Sequence, residues 1–283
     1  MKKIIMGFIF VNSLGFSEVL YVNEYADKDR KNPKDATRSG VNGNIDIGYT
    51  SYVIDVSSSE LNRAIDYNVV ELRLGGSYSY GDWIWGVNGK ILLDEQKSNL
   101  NSEDTTYHLN DSATIDRNEF SIFANYKLTE EFRGNFVYRY AKLQSNNSYL
   151  DILEYDTKFN YKTEGLALSL VYVPSFLKKE KHLLWLSSGA VYSQATVEVY
   201  EEIEAIMDDV SIDDKQKAFG FQLGMGYNYS FTDNLTFKIS GDWYRFDFGK
   251  LNVDSQKLNR VLEQASLNEE TYSVRFGVAY RFN

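Results

Sequence analysis

The chain has 283 residues, 40 acidic side chains against 30 basic ones, a net charge of −10 and no cysteine. The missing thiols exclude disulfide scaffolds, thiol nucleophiles and cysteine-ligated zinc, and the acidic balance leaves no basic stripe for nucleic acid. With only two prolines, 22 Tyr and 17 Phe and a mean hydropathy of −0.40, the composition favours long hydrogen-bonded ladders whose two faces differ in polarity.

At the N-terminus, Lys2 and Lys3 precede the apolar run Ile4 to Val11, and Gly15 and Ser17 are small residues spaced for cleavage before Glu18. Residues 1–17 therefore read as a secretory signal peptide, too short to cross a membrane as a helix. A buried N-terminal strand is the alternative, although Asn12 and Ser13 interrupt it. Residues 18–40 carry the charged run Asp27 to Lys34 and read as an N-terminal extension. Within them 18–26 (EVLYVNEYA) has strand character.

Ten strands follow, at roughly 43–56, 68–80, 82–94, 115–128, 132–142, 158–173, 183–197, 217–231, 235–247 and 271–282. The alternation is cleanest at the C-terminus. Tyr272, Val274, Phe276, Val278, Tyr280 and Phe282 interleave with Ser273, Arg275, Gly277, Ala279 and Arg281. From Phe219 to Phe231, odd positions are apolar or aromatic and even ones small or polar. Strict period two places one set on each face. Other outward sets are Val70, Leu72, Leu74, Tyr78 and Tyr80; Trp83, Trp85, Val87, Ile91 and Leu93; Phe120, Ile122 and Tyr126; Leu166, Leu168 and Leu170. Leu183 to Leu186 is apolar throughout, so its faces are not assigned. The first strand is weaker, because Ser51 and Asp55 share a face with Ile45, Ile47 and Tyr49.

The connections alternate. Gly81-Asp82, 129–131 and 232–234 are tight turns, with 174–181 a longer member of that class, while 57–67, 95–114, 143–157, 198–216 and 248–270 read as long polar loops. About 9–11 tilted residues cross a bilayer as a strand, longer than the usual soluble strand. The pattern predicts an all-β, transmembrane, antiparallel up-and-down β-barrel over 41–283, with short periplasmic turns and long extracellular loops. Single-chain bacterial barrels have even strand numbers, so ten is preferred over eleven and 18–40 is placed in the periplasm. Tyr80, Trp83, Tyr126, Phe132, Tyr229, Phe231, Tyr280 and Phe282 fall at the periplasmic ends, where aromatic rings suit the headgroup layer.

The segment 227–237 (YNYSFTDNLTF) and the terminal strand Tyr272 to Phe282 resemble the strand–turn–strand and the C-terminal signal of small outer-membrane barrels of the OmpA and OmpX type. In that class the signal, here carried by Tyr280 and Phe282, is read by the barrel-insertion machinery. Such signals usually end on the aromatic itself, whereas Asn283 follows here. Ten strands at this length also resemble the omptin proteases, whose activity needs an Asp–His couple and an Asp pair at the extracellular rim. Of the two histidines, His182 lies in a periplasmic turn beside Glu180, and His108 lies in a loop near Asp104 and Asp111. The omptin Asp-x-His spacing is missing, and no nucleophile or zinc motif appears, so the chain is not expected to be an enzyme.

Function then rests on the loops and lumen. Glu201, Glu202, Glu204, Asp208 and Asp209 give weak oxygen ligands for a divalent cation, without the spacing of a Ca²⁺ loop, so a solvated acidic loop is the plainer reading. No cofactor is expected. Ile203, Ile206 and Met207, and Leu258, Val261, Leu262 and Ala265, have helical spacing that would let two short helices cap the mouth, with Lys257 and Arg260 facing the acids. Lumen-lining charges are Asp46, Glu71, Arg73, Lys90, Arg117, Glu119, Arg139, Lys238, Asp242, Arg275 and Arg281. Ten strands make a constricted lumen, in which glycines such as Gly220, Gly224 and Gly226 leave some space. The leading expectation is a surface-binding or structural, adhesin-like barrel in the bacterial outer membrane, touching lipid, lipopolysaccharide and an extracellular ligand or host surface. A narrow porin-like channel is the alternative, and an omptin-like protease comes third.

Overall fold

The computed structural model describes residues 40–57, 62–93, 96–102, 112–150, 154–174, 181–203, 210–255 and 261–282. Residues 1–17, read above as a signal peptide, and nearly all of 18–40 lie outside them. The strands are β1 (Gly40–Ser57), β2 (Asn62–Tyr80), β3 (Trp83–Leu92), β4 (Gln96–Ser102), β5 (Ser112–Lys127), β6 (Phe132–Leu150), β7 (Glu154–Tyr172), β8 (His182–Ile203), β9 (Val210–Ser230), β10 (Leu235–Ser255) and β11 (Val261–Phe282).

Each stave pairs antiparallel with its neighbours in sequence, and β1 pairs with both β2 and β11, so the sheet closes on itself. β3 and β4 share one place in the wall. Both lie between β2 and β5, β3 pairing with the halves of those strands near the Gly81 turn and β4 with Arg63–Asp66 and Ser112–Ile115. The barrel therefore has ten staves, as the alternation predicts. Closure removes the free edges that would otherwise template aggregation.

One end carries the tight turns and both strand termini, Gly40 and Phe282. Two of its turns use the same device. Thr129 Oγ1 accepts from the backbone N–H of Phe132 at 3.0 Å, and Thr232 Oγ1 accepts from that of Leu235 at 3.0 Å. A hydroxyl bonding its own backbone holds each reversal without glycine. At the third, Gly81 takes φ 57°, which a Cβ would resist.

The other end corrects the sequence reading. Most of the residues assigned to five long loops continue the strands, which reach 22 residues in β8 and β11. Ile203 belongs to β8, and Val261, Leu262 and Ala265 to β11, so their helical spacing is not realised. Cross-strand pairing wins: Ile203 pairs with Tyr155, and Val261, Leu262 and Ala265 pair with β10 around a bulge near Gly249, whose φ is 71°. Leu258, Ile206, Met207, Lys257 and Arg260 lie outside the described residues.

The faces explain why these extensions look like loops in sequence. Near the tight turns the outer wall is an apolar belt: Ile45, Ile47 and Tyr49 on β1, Phe120 and Ile122 on β5, Leu166, Leu168 and Leu170 on β7, and Phe276, Tyr280 and Phe282 on β11 are all exposed. Farther along the same faces stand Asn68, Asp116, Asn118, Lys142, Lys162, Lys215, Lys217, Arg245 and Asp247. The interior changes in the opposite sense. Behind the belt it holds Asn42, Asn44, Ser77, Asn88, Asn125, Asn135, Gln222 and Asn228, whereas behind the polar outer wall it holds Ile54, Ile115, Leu143, Phe159, Val197, Phe248 and Leu267, all buried. Leu183 to Leu186 also resolves: Leu183 and Trp185 point inward with Val171 and Val173, and Leu186 is exposed.

Candidate functional site

Where the two halves meet, charged side chains from β2, β3, β5, β6 and β11 cross the interior. Lys90 lies 3.2 Å from Glu71 and 3.2 Å from Glu119. Arg139 reaches Glu119 at 2.7 Å, and Arg117 reaches Glu269 at 2.9 Å. These three cations and three carboxylates are all buried, so their charges balance within one dry cluster. An uncompensated charge here would cost several kcal/mol (about 3–5 when one partner is removed), which makes the pairing obligatory.

Tyrosines add further hydrogen bonds. Tyr244 donates to Glu269 at 2.7 Å and accepts from Arg139 at 2.6 Å, and Tyr161 donates to the other Glu269 oxygen at 2.6 Å. Tyr52 donates to Glu71 at 2.5 Å and accepts from Lys90 at 2.6 Å, and Thr50 donates to the second Glu71 oxygen at 2.7 Å. The Arg117 guanidinium lies over the Tyr52 ring at 4.0 Å, and Tyr52 stacks on Tyr67 with ring centroids 4.9 Å apart. Each carboxylate in the cluster thus meets charge-assisted donors, the strong class of hydrogen bond. Because β5 and β6 face β10 and β11 across the barrel, these bonds tie opposite walls together.

Nearer the tight turns is a second, looser group. Lys238 reaches Asp46 at 2.8 Å, Asn44 donates to the other Asp46 oxygen at 3.0 Å, and Arg275 pairs with Asp242. Arg73 is buried at the same level, and Arg281 is partly exposed close to the rim.

The glycine space expected on β9 is filled. A Cβ on Gly226 would collide with the Trp185 indole, and one on Gly220 with the Phe246 ring. These positions are bare because aromatic side chains from neighbouring strands lie flat against the wall there. At Gly220 and Gly226 the glycine thus accommodates a neighbouring ring rather than leaving room, which corrects the expectation at those two positions.

Glu71, Arg73, Lys90, Glu119, Arg139, Lys238, Asp242 and Arg275 all belong to these two groups. Glu269, Tyr52, Tyr67, Tyr161 and Tyr244 also belong to the cluster and are absent from the sequence-derived set. Parity alone contains the missing signal. Glu269 shares its face with Thr271, Ser273 and Arg275, and Tyr244 shares its face with Asp242 inside the expected strand 235–247, but starting the last strand at 271 hides Glu269.

Glu201 and Glu202 are strand residues of β8, while Glu204, Asp208, Asp209, His108, Asp104, Asp111 and Glu180 lie outside the described residues. Among the described residues no three His, Asp or Glu side chains gather as metal ligands would. His182 Nδ1 meets the Tyr227 hydroxyl at 2.5 Å on the outer wall beside the tight turns. Tyr280 and Phe282 point outward at the end of β11, with ring centroids 5.1 Å apart.

No protein-family model and no curated protein matches the sequence. Solved structures do match the fold. The outer membrane protease OmpT from Escherichia coli shares 14% identity and a TM-score of 0.59, over 86% of this chain and 97% of that one. The translocator domain of the autotransporter NalP from Neisseria meningitidis shares 12% identity and a TM-score of 0.51, over 86% of this chain and 89% of that one. The chain has the fold of the outer-membrane β-barrels, closed here with ten antiparallel staves.

Proposed function

We propose that the chain is an integral outer-membrane barrel, closed to solutes by its own side chains, that acts at the cell surface in a binding or structural, adhesin-like role. The observation that carries this reading is the buried ionic cluster spanning the interior. Arg117 is 1% exposed and Glu269 0%, and the apolar layer of Ile54, Leu143, Phe248 and Leu267 lies beyond them. Ten staves enclose only a narrow interior, and here it is filled by side chains. An ion entering would have to break paired charges that cannot be rehydrated in place.

The belt supports the placement. Its outward alternation runs for about ten residues per strand, which at about 3.3 Å per residue and a tilt near 40° gives roughly 25 Å of apolar height. That matches a bilayer core, with the tight turns in the periplasm and the polar half of the wall outside. The expected partners are bilayer lipid, the insertion machinery reading the strand that ends in Tyr280 and Phe282, and an external ligand. No catalysis is assigned to the barrel.

Recordings of purified protein in planar bilayers test the reading. Insertion without steady conductance is expected. A large, steady conductance in the unmodified protein would replace the surface role with the narrow channel. Protease sites inserted at 204–209 are expected to be cut on intact cells, and sites at Asp233 to be protected.

A further inference from the structure

Just beyond the apolar belt, the register of β6 to β9 lines up Lys142, Lys162, Thr196 and Lys215 as directly paired neighbours. Lys217 stands two residues nearer the belt, opposite Gln194. All four lysines are exposed on the outer wall, and none makes an ion pair among the described residues. Lys162 Nζ lies 5.3 Å from the centre of the Tyr140 ring. Strands are about 4.8 Å apart, so the Lys142 and Lys162 stems start side by side, a like-charge juxtaposition that destabilises a sheet unless an anion lies between. The acids on this face flank the row rather than stand in it: Asp116 on β5 accepts at 3.3 Å from Asn118, the residue that pairs with Lys142. Glu164 pairs in register with Gln194, below the row, and Glu198 lies above the row, where it accepts from Asn160 at 3.3 Å.

Below the row, the file of outward residues on β8 becomes small. Ser188 and Ala190 are flanked in register by Leu170 and Leu168 on β7 and by Leu223 and Phe221 on β9. Those four large side chains stand out from the wall, Leu168 at 65% and Phe221 at 72% exposure, so the β8 file is recessed between them. From Thr196 to Ala190 is about 20 Å along the strand, the scale of an acyl chain. Tyr192 lies between, leaning on Phe219 with ring centroids 5.1 Å apart.

We propose that this sector of the wall binds a phosphate-bearing lipid of the outer leaflet, a proposal that rests on the membrane placement above. Lys142, Lys162, Lys215 and Lys217 receive the phosphate, and the Ser188–Ala190 recess takes part of an acyl chain. Charge complementarity selects the headgroup. The row sits where the wall changes from apolar to polar, the depth at which lipid phosphates lie and at which each basic side chain adds to attraction for an anionic surface. The recess directly beneath selects a lipid over free phosphate.

The test uses the full chain inserted into phosphatidylcholine vesicles doped with a diphosphorylated acyl glycolipid, with retained glycolipid measured by native mass spectrometry. Heat-modifiable mobility first establishes that each variant is folded and inserted. A triple Lys142→Gln, Lys162→Gln, Lys215→Gln variant is expected to lose retention by about tenfold or more, and raised salt to weaken the wild type. Ala190→Trp, which fills the recess with the lysines intact, is expected to lower retention as well. Equal retention by the triple variant and wild type would overturn the proposal. So would an unaffected Ala190→Trp variant from which inorganic phosphate displaces the glycolipid, since that describes a phosphate site without a lipid. Failure of the wild type to insert at all would overturn the membrane placement itself, before any lysine is changed.

Discussion

The two halves of the barrel solve opposite solvent problems with one backbone. Near the tight turns the wall is apolar outside and amide-rich inside, as at Leu168 and Leu223 against Asn135 and Gln222. Past the ionic cluster the same strands are polar outside and apolar inside, as at Lys142 and Asp116 against Leu143 and Ile115. The hydrogen-bond ladder runs unbroken through the change on β6, β7 and β8. Regular strand geometry therefore does not depend on which face meets water. It needs only that the faces alternate, while each half takes its stability from a different source. The far half resembles a soluble barrel with a side-chain core, and the near half resembles a protein turned inside out. The ionic cluster sits at the boundary, where interior polarity has to end.

The comparison breaks first at that boundary. Arg117→Ala leaves Glu269 without its guanidinium in a dry interior and is expected to cost about 3–5 kcal/mol. Urea unfolding of the refolded barrel, followed by tryptophan fluorescence, would measure it. A loss under about 1 kcal/mol would mean that water enters the cluster and the barrel is not closed there. An apolar core in the far half makes the next prediction. Leu143→Ala, at a side chain 1% exposed, is expected to cost about 2–5 kcal/mol. Leu168→Ala, 65% exposed on the belt, is expected to stay within about 1 kcal/mol by the same assay. Similar costs at both sites would erase the distinction between a buried core and an outer face.

A charge on the outer face sharpens the contrast further. Leu223→Arg, on the belt, is expected to reduce insertion into lipid vesicles by about 2–4 kcal/mol, while Thr196→Arg on the polar outer wall is expected to cost about 0–1. Parity alone makes Gln222→Arg the mild control for Leu223→Arg. The structure removes that role, because Gln222 is 1% exposed beside Gly189 and has no room to lengthen. A more modest loss than at the cluster or the core is expected at Gly226→Ala, where the added methyl must displace the Trp185 indole. Overpacking of this kind costs about 1–3 kcal/mol, and near-ultraviolet circular dichroism of the indole would register the shift. An unchanged spectrum and stability would mean that the near half of the lumen has slack.

Much of the wall was legible in the chain. Period two from Tyr272 to Phe282, and from Phe219 to Phe231, assigns faces by itself, because a strand puts successive side chains on opposite sides and nothing tertiary can alter that parity. The tight turns at 81–82, 129–131 and 232–234 order the staves, since strands joined by a few residues have no choice but to pair. The even count rests on neither, but on the even strand number of single-chain bacterial barrels.

Less legible was the point at which each strand stops. Residues 248–270 and 198–216 hold strand where loop is expected: Phe248 and Leu267 are buried on the inner face, and the polar residues between apolar ones read as loop, so Val261, Leu262 and Ala265 mimic a helix. A search for greasy outward faces goes silent there, and on β10 a bulge near Gly249 interrupts the alternation as well.

The amino-acid sequence thus determined the strands, their faces and their order, because those depend on local periodicity and short connections. Only the closed barrel decided that Arg117 meets Glu269, 152 residues away, that Tyr161 and Tyr244 share the same carboxylate, and that glycines expected to widen the lumen lie under Trp185 and Phe246. The physical reason is that partners across a lumen are set by barrel circumference, tilt and register together, quantities that no single strand contains.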